Sequence, residues 1–297
     1  MSIASITESV PVNKIPKIDH DKVEQVKVKK INNSNDIILD LPIDEIPKDK
    51  LPAITIITVT RNRKHFFPLA IDNWKRVYYP HDNIFWLIVD DSDDITQGPI
   101  DQLKSLNDNR ILYYYLKPNI IDGKTICHSV GYKRNLAMTL IKTDYAAMID
   151  DDDYIYAESI ISRICCLMFY DKQCIYSDNI GVFNAKHENS YILEGFSDVP
   201  EGTLLMTKKF WNKNKFGEAK GIGEGIQLVS GQELNMLRIP YYFNLIVINH
   251  KSNLTGGARV MRFNMKGKMK QKASMLAPIN FFKLFPTSFS DILKTLM

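Results

Sequence analysis

A chain of 297 residues with 45% hydrophobic side chains can bury a substantial core, which excludes wholesale disorder. Its formal net charge of +4 is too small to argue for nucleic acid as a partner. The charge is lopsided: residues 251–297 carry nine Lys/Arg against one acid, Asp291, so a basic end follows a mildly acidic body.

Four cysteines, Cys127, Cys165, Cys166 and Cys174, form no disulfide framework and no paired zinc knuckles. The expected setting is reduced and intracellular. No apolar run approaches the roughly 18–20 residues of a membrane span, and "MSIASITESVPVNK" lacks the features of a secretory leader. The expectation is therefore a cytoplasmic protein, or one held at the cytoplasmic face of a membrane.

In chain order, residues 1–50 alternate charges with Pro, Asn and Ser and read as a flexible arm. Within it "KVEQVKVKK" has strand character but no evident partner. The main domain is expected over 51–258. "AITIITVT" (Ala53–Thr60) is short, continuous and β-branched, as a strand buried on both faces should be. "RNRKHFFPLAIDNWKRV" gives a loop and then a helix. "NIFWLIVDD" (Asn83–Asp91) and "RILYYYL" (Arg110–Leu116) are further strands. "VGYKRNLAMTLI" (Val130–Ile141) is a helix with Leu136, Leu140 and Ile141 on one face. "DYAAMID" (Asp144–Asp150) is a fourth strand and "ESIISRICCLMFY" (Glu158–Tyr170) a helix. Shorter strands follow around "CIYSDNIGVF" and "TLLMTK", then a Gly- and Lys-rich loop, "KFGEAKGIGEGIQL". The tail, 259–297, joins basic "MKGKMKQK" to Phe/Leu-rich segments. That pattern suits peripheral membrane contact, docking onto the core, or a partner.

Strands alternating with helices predict an α/β fold with a mostly parallel sheet. Polar clusters end three of the strands: "TRNR", "DDSDD" and "DDDD". Ligands bind outside the carboxyl ends of such strands, so one site is expected there. Four adjacent carboxylates, Asp150–Asp153, need a cation, and hard ions such as Mg2+ or Mn2+ prefer oxygen ligands. In an extended segment alternate residues share a face. Asp150 and Asp152 would then meet one ion while Asp151 and Asp153 face elsewhere.

The segments Thr55–Arg63, "LIVDDSDD" (Leu87–Asp94), "GYKRNLAM" (Gly131–Met138) and "MIDDDDY" (Met148–Tyr154), in this order, resemble the successive motifs of family 2 glycosyltransferases. The resemblance covers roughly residues 52–256. It implies a GT-A fold: a Rossmann-like nucleotide-binding half fused to a smaller acceptor-binding half. It also implies a nucleotide-sugar donor, expected to be UDP-linked, and an inverting mechanism with Mn2+ or Mg2+. Carried over, Thr60, Arg61 and Arg63 flank the nucleoside, and Asp90 and Asp91 hydrogen-bond its base or ribose. Lys133 and Arg134 face the diphosphate, and Asp151 joins the donor-binding set. Asp150 and Asp152 match the metal-binding DXD motif, and His250 resembles a third metal ligand or an acceptor-site histidine. The chain departs from the family pattern at Ser92, where Gly is frequent, and at Val130–Tyr132, where Gly-Glu often precedes the basic pair.

A single displacement needs a general base across the sugar from the metal. The resemblance places it at Glu224, in "GIGEGIQ", where Gly221, Gly223 and Gly225 would permit close backbone approach. Glu201, Glu218 and Glu233 are the alternatives. Asn253 and Thr255 would line the loop after His250. Trp211 is a sugar-stacking candidate, whereas Trp86 reads as core. The acceptor is a glycan, a protein or a lipid; nucleic acid is not expected. Two other readings are a catalytically inactive nucleotide- or carbohydrate-binding protein of the same fold, and a nucleotidyltransferase.

Overall fold

The computed structural model describes residues 18–26, 28–30, 37–39, 46–122, 124–194, 199–218, 224–250, 275–277 and 279–296. The strands are β1 (Glu24–Gln25), β2 (Val28–Lys30), β3 (Ile37–Leu39), β4 (Ile54–Thr60), β5 (Ile84–Asp90), β6 (Ile111–Tyr115), β7 (Asn119–Ile121), β8 (Lys124–Ile126), β9 (Tyr145–Met148), β10 (Tyr154–Ile155), β11 (Cys174–Tyr176), β12 (Ile180–Asn184), β13 (Asn189–Leu193), β14 (Leu205–Thr207), β15 (Met236–Arg238), β16 (Leu245–Asn249) and β17 (Met275–Leu276). The α-helices are α1 (Phe67–Arg76), α2 (Ile100–Leu106), α3 (Val130–Leu140), α4 (Ser159–Phe169), α5 (Lys208–Lys213), α6 (Glu224–Val229) and α7 (Thr287–Leu296).

Eight strands form the main sheet in the order β1-β15-β11-β14-β9-β4-β5-β6. All neighbours are parallel except β14, which runs against both β11 and β9. The α/β reading holds, and its cause is visible in β4 and β5. Both are covered on two faces, so hydrophobic side chains are selected at consecutive positions rather than alternate ones. Register carries the polar ends to one place: Thr60 pairs with Asp90 across β4 and β5, and Ile57 pairs with Met148 across β4 and β9. Helix α3 is nucleated by Ser129, whose Oγ accepts from the Tyr132 amide at 3.1 Å.

Two sequence expectations change. Glu24–Gln25 do have a partner: β1 lies parallel to β15, Val26 donates its amide to Arg238 O at 3.0 Å, and Val23 and Val26 are buried. A two-residue pairing with a strand so remote in sequence leaves no local signal. Helix α3 also turns a different face inward. It buries Gly131, Lys133, Arg134, Asn135, Ala137 and Met138, while Leu140 is 40% exposed; Ile141, just past the helix, is buried. The charged face is inside because carboxylates wait for it at the strand ends.

A second, five-stranded sheet, β10-β16-β12-β13-β17, packs beside the first. Strand β17 pairs with β13, and α7 lies against α1. Phe281, Phe285, Phe289 and Leu293 are buried in a cluster with Phe66, Tyr154, Tyr241 and Ile248. The Arg76 guanidinium sits over the rings of both Tyr154, at 4.8 Å, and Phe289, at 5.7 Å. The final segment therefore docks onto the core, with Pro286 just ahead of α7 rather than inside it. The basic stretch "MKGKMKQK" lies outside the described residues, as do Gly221, Gly223, Asn253 and Thr255.

This docking is testable. Phe289 is fully buried, so Phe289→Ala should cost about 3–5 kcal/mol of stability. Urea unfolding of the whole chain reads this as a lower midpoint; an unchanged midpoint would mean that the helix does not seal the core.

Candidate active site

Three loops meet where β4, β5 and β9 end. Thr60 is their pivot. Its Oγ1 donates to Asp151 Oδ2 at 2.5 Å, and its carbonyl accepts from Lys133 Nζ at 3.0 Å. The loop after β4 is zipped to the loop after β5. Asn62 Nδ2 donates to Asp93 Oδ2 at 2.8 Å, Arg61 pairs with Asp93 at 2.6 Å, and the Asn62 amide donates to Ser92 Oγ at 2.7 Å. Asn62 takes a left-handed conformation to do so, one that asparagine tolerates better than most residues. Ser92, where the family pattern has glycine, thus has a job of its own: its Oγ also donates to Asp90 Oδ1 at 2.5 Å.

Asp90 and Asp91 are both fully buried, and their oxygens are committed. Asp90 accepts from the Ser92 amide at 2.9 Å and from Tyr113 Oη at 2.6 Å. Asp91 pairs with Lys133 at 2.6 Å and accepts from the His128 amide at 2.8 Å. These groups shape the turn from inside. In this structure both carboxylates are engaged within the fold, and the Lys133 ammonium pairs with Asp91. The physical reason is burial: an ionised group sealed in the fold has to be paired there.

The aspartate run is a turn, because β9 stops at Met148. Strand alternation therefore does not govern it. Asp150 is the exposed member and faces Arg134 Nη2 at 3.3 Å. Asp151 and Asp152 share Arg63, whose Nε is 3.3 Å from Asp151 and whose Nη2 donates to Asp152. Asp153 turns away and accepts from the Ile248 amide at 3.1 Å. Burial pushes the Asp151 carboxyl well above the usual range, against the pull of Arg63. Burial opposes ionisation of Asp152 too, but Arg63 and His250 outweigh it and hold that carboxyl low. His250 Nε2 lies 2.9 Å from Asp152 Oδ2, and its ring stacks on Phe66 with centroids 4.2 Å apart. Phe66 also lies under the Arg63 guanidinium at 4.8 Å, so one aromatic ring seats both partners of Asp152. Phe66 carries no motif signal in the sequence.

Two ligands at cis positions of an octahedral ion with bonds of about 2.1 Å lie roughly 3 Å apart. The 2.9 Å spacing of Asp152 and His250 fits that requirement. Among the described residues, no three His, Cys, Asp or Glu side chains converge as a metal-holding group, and Arg63 already occupies Asp152.

Glu224 opens α6. Burial, with the neighbouring Glu201 second, raises its proton affinity above the carboxylate norm. Glu201 is close: its Oε1 accepts from the Gly225 amide at 2.8 Å. Helix α3 approaches here as well, since a Cβ on Gly131 would sit 1.8 Å from Gly217 O and 3.3 Å from Glu224 Cγ. The other acids have different settings. Glu218 is exposed and accepts from Asn135 Nδ2 at 2.9 Å, and Glu233 starts a 3-10 turn, Glu233–Asn235. Trp211 is no stacking surface: it is 5% exposed and donates Nε1 to Asn135 Oδ1 at 3.0 Å. Trp86 is core, at 2% exposed.

No protein-family model matches this sequence, and no curated protein matches it. Solved structures do resemble the fold. S. aureus TarS 1-349 in complex with UDP-GlcNAc gives a TM-score of 0.52 at 14% identity, over 68% of this chain and 60% of that one. The same fragment in complex with UDP gives 0.51 at 15% identity, over 71% and 63%. This chain thus spans less than two thirds of the TarS structures' length. The mannosyltransferase PcManGT from Pyrobaculum calidifontis, in complex with GDP-Man and Mn2+, gives 0.53 at 12% identity, over 86% and 73%. The mixed α/β architecture with its mostly parallel central sheet is that of GT-A glycosyltransferase structures.

Removing one member of a buried ion pair costs about 3–5 kcal/mol, because the other charge is left uncompensated. Arg63→Met should destabilise the chain by about 3 kcal/mol. Arg63→Met with Asp151→Asn should recover part of that loss in thermal unfolding. No recovery would show that Arg63 does not compensate Asp151.

Proposed function

We propose that this chain is a divalent-metal-dependent, inverting glycosyltransferase of the family 2 type. It moves a sugar from a nucleotide sugar, UDP-linked in our reading, to a hydroxyl of a glycan, protein or lipid, and it works in the cytoplasm or at the cytoplasmic face of a membrane. The observation that carries the proposal is the gathering of arginines, acids and a histidine at the carboxyl ends of the strands, with a glutamate of raised proton affinity close by. Arg63, Arg134, Asp150, Asp152 and His250 are joined by ion pairs and a hydrogen bond, and Glu224 at the start of α6 lies near enough to feel the charges of Arg134 and Asp150. Neighbours of this fold bind UDP-GlcNAc in one case and GDP-Man with Mn2+ in another, which supports a nucleotide-sugar donor.

In this mechanism Glu224 takes the proton from the acceptor hydroxyl as its oxygen attacks the anomeric carbon, and nucleoside diphosphate departs from the opposite face. A carboxylate that holds its proton more tightly than usual is the stronger base. Arg134, with Lys133 behind it, would face the departing diphosphate, and Arg63 would lie beside the nucleoside; a guanidinium's planar fork suits phosphate oxygens. Asp150, Asp152 and His250 would hold Mn2+ or Mg2+, which supplies positive charge against the charge building on the leaving group. Arg63 would then share Asp152 or swing from it toward phosphate. Phe66 fixes the His250 ring and keeps water from one side of the pair.

Asp152→Ala should abolish the manganese-dependent part of UDP affinity measured by calorimetry; undiminished binding with Mn2+ present sinks the metal assignment. Glu224→Gln should keep UDP affinity within about twofold while turnover falls 100-fold or more, since the base acts in the transition state. Donor hydrolysis and transfer, followed as UDP release, read this out. A nucleotide-binding protein without catalysis would bind UDP and release none from any donor.

A further inference from the structure

The turn Glu201–Thr203, between β13 and β14, is among the most firmly tied elements near the site. Thr203 O accepts from Arg163 Nη1 at 3.0 Å and from Asn244 Nδ2 at 2.8 Å, and both donors are fully buried. Thr203 Oγ1 donates to Pro200 O at 2.7 Å and accepts from the Ser177 amide at 3.2 Å. One residue on, Leu204 O accepts from the Met148 amide at 2.8 Å, so the turn is bonded to the strand that ends in the aspartates. A Cβ on Gly202 would lie 3.1 Å from Asp150 Oδ2. The catalytic glutamate is not built this way. Glu224 begins a helix of six residues, Glu224–Val229, too short to be stable by itself.

The two meet at Gly225. Its amide, one of the donors that a helix start leaves without an intrahelical acceptor, goes to Glu201 Oε1 at 2.8 Å. A side chain at 225 would have to displace Glu201. A Cβ at 225 would fall 2.9 Å from Glu201 Cγ and 3.2 Å from Oε1, so the Glu201 side chain fills the space a side chain at 225 would take. We infer that Glu201 is the positioning residue for the base: it ties the first turn of α6 to the rigid turn beside Asp150 and so sets the aim of the Glu224 carboxylate. This role rests on the assignment of Glu224 as general base. It differs from Glu201 being a base itself, because the hydrogen bond needs only an acceptor oxygen and not a basic one.

Glutamine keeps that acceptor and alanine does not. Using the full chain with Mn2+, UDP-GlcNAc and GDP-mannose hydrolysis are followed for the wild type, Glu201→Ala, Glu201→Gln and Glu224→Gln. UDP affinity and amide exchange at residues 225–229 are measured in parallel. Glu201→Ala should lower kcat about 10- to 100-fold, the scale of a small misplacement of a reacting group. UDP affinity should hold within about twofold, and exchange at Gly225 should quicken about tenfold or more. Glu201→Gln should restore kcat to within about threefold and restore slow exchange. Equal losses in the alanine and glutamine variants overturn the proposal, as does unchanged Gly225 exchange in Glu201→Ala. Loss of UDP affinity together with kcat in Glu201→Ala overturns it in favour of a structural role. Wild-type turnover in Glu224→Gln instead removes the base assignment, which the exchange data do not touch. If neither donor is hydrolysed by the wild type, the exchange result alone decides whether Glu201 holds the helix start.

Discussion

Carboxylates crowd the ends of β5 and β9, and the fold can exist only because cations are buried against them. Lys133 neutralises Asp91, Arg63 is divided between Asp151 and Asp152, and Arg134 reaches Asp150. None of these cations comes from a sheet strand. Two stand on α3 and one in the loop after β4, so helix, loop and sheet are locked together by charge as well as by apolar contact. The inverted face of α3 follows directly. A helix whose polar side has buried partners has reason to turn that side inward, and here it leaves Leu140 to solvent. The pivot at Thr60 follows too, because one residue at the end of β4 touches both the Lys133 and the Asp151 systems.

This constraint explains what the sequence shows and what it hides. Strands β4, β5 and β9 are legible because burial on both faces selects continuous apolar runs, and acids directly after them mark the site. Helix α3 is legible as a helix but not in orientation, since hydropathy assigns the apolar stripe to the core and has no term for a partner charge. The DXD reading assumes an extended run, whereas the chain turns once β9 ends and deals its acids to different cations. Asp90, Asp91 and Lys133 stand where the motifs place them. Their roles are invisible in one dimension, because motif letters do not say whether a carboxylate faces a ligand or a tyrosine. Phe66 and Glu201 had no motif at all: each matters through a contact, with His250 in one case and Gly225 in the other.

The aspartate turn and α6 are held by different means. The aspartate side is anchored by ion pairs and by the Phe66 ring, itself part of the aromatic cluster that α7 completes. The α6 side is anchored by the Gly225 amide on Glu201, by the Gly217 amide on the Glu224 carbonyl, and by Leu228 and Val229 in the core. A reaction that places an acceptor between them needs both sides fixed to within a fraction of an ångström. The C-terminal segment, far from the site in sequence, contributes by closing the core behind His250.

Stability alone does not account for this arrangement. A buried ion pair returns little over an apolar pair of equal volume, because desolvating two charges offsets most of their attraction. A core built only to be stable would place apolar side chains at 91 and 133, and at 63 and 151. Here several such pairs are gathered at one end of one sheet, around an exposed carboxylate at Asp150 and next to a histidine–carboxylate contact of metal-ligand spacing. Concentrating costly groups at the carboxyl ends of parallel strands makes sense where a charged ligand arrives and exchanges partners with them. A departing diphosphate is such a ligand. Under the proposed function, Arg63 and Arg134 could turn from carboxylate to phosphate only if a divalent cation took up the carboxylate charge they leave, so the arginines and the metal would act together.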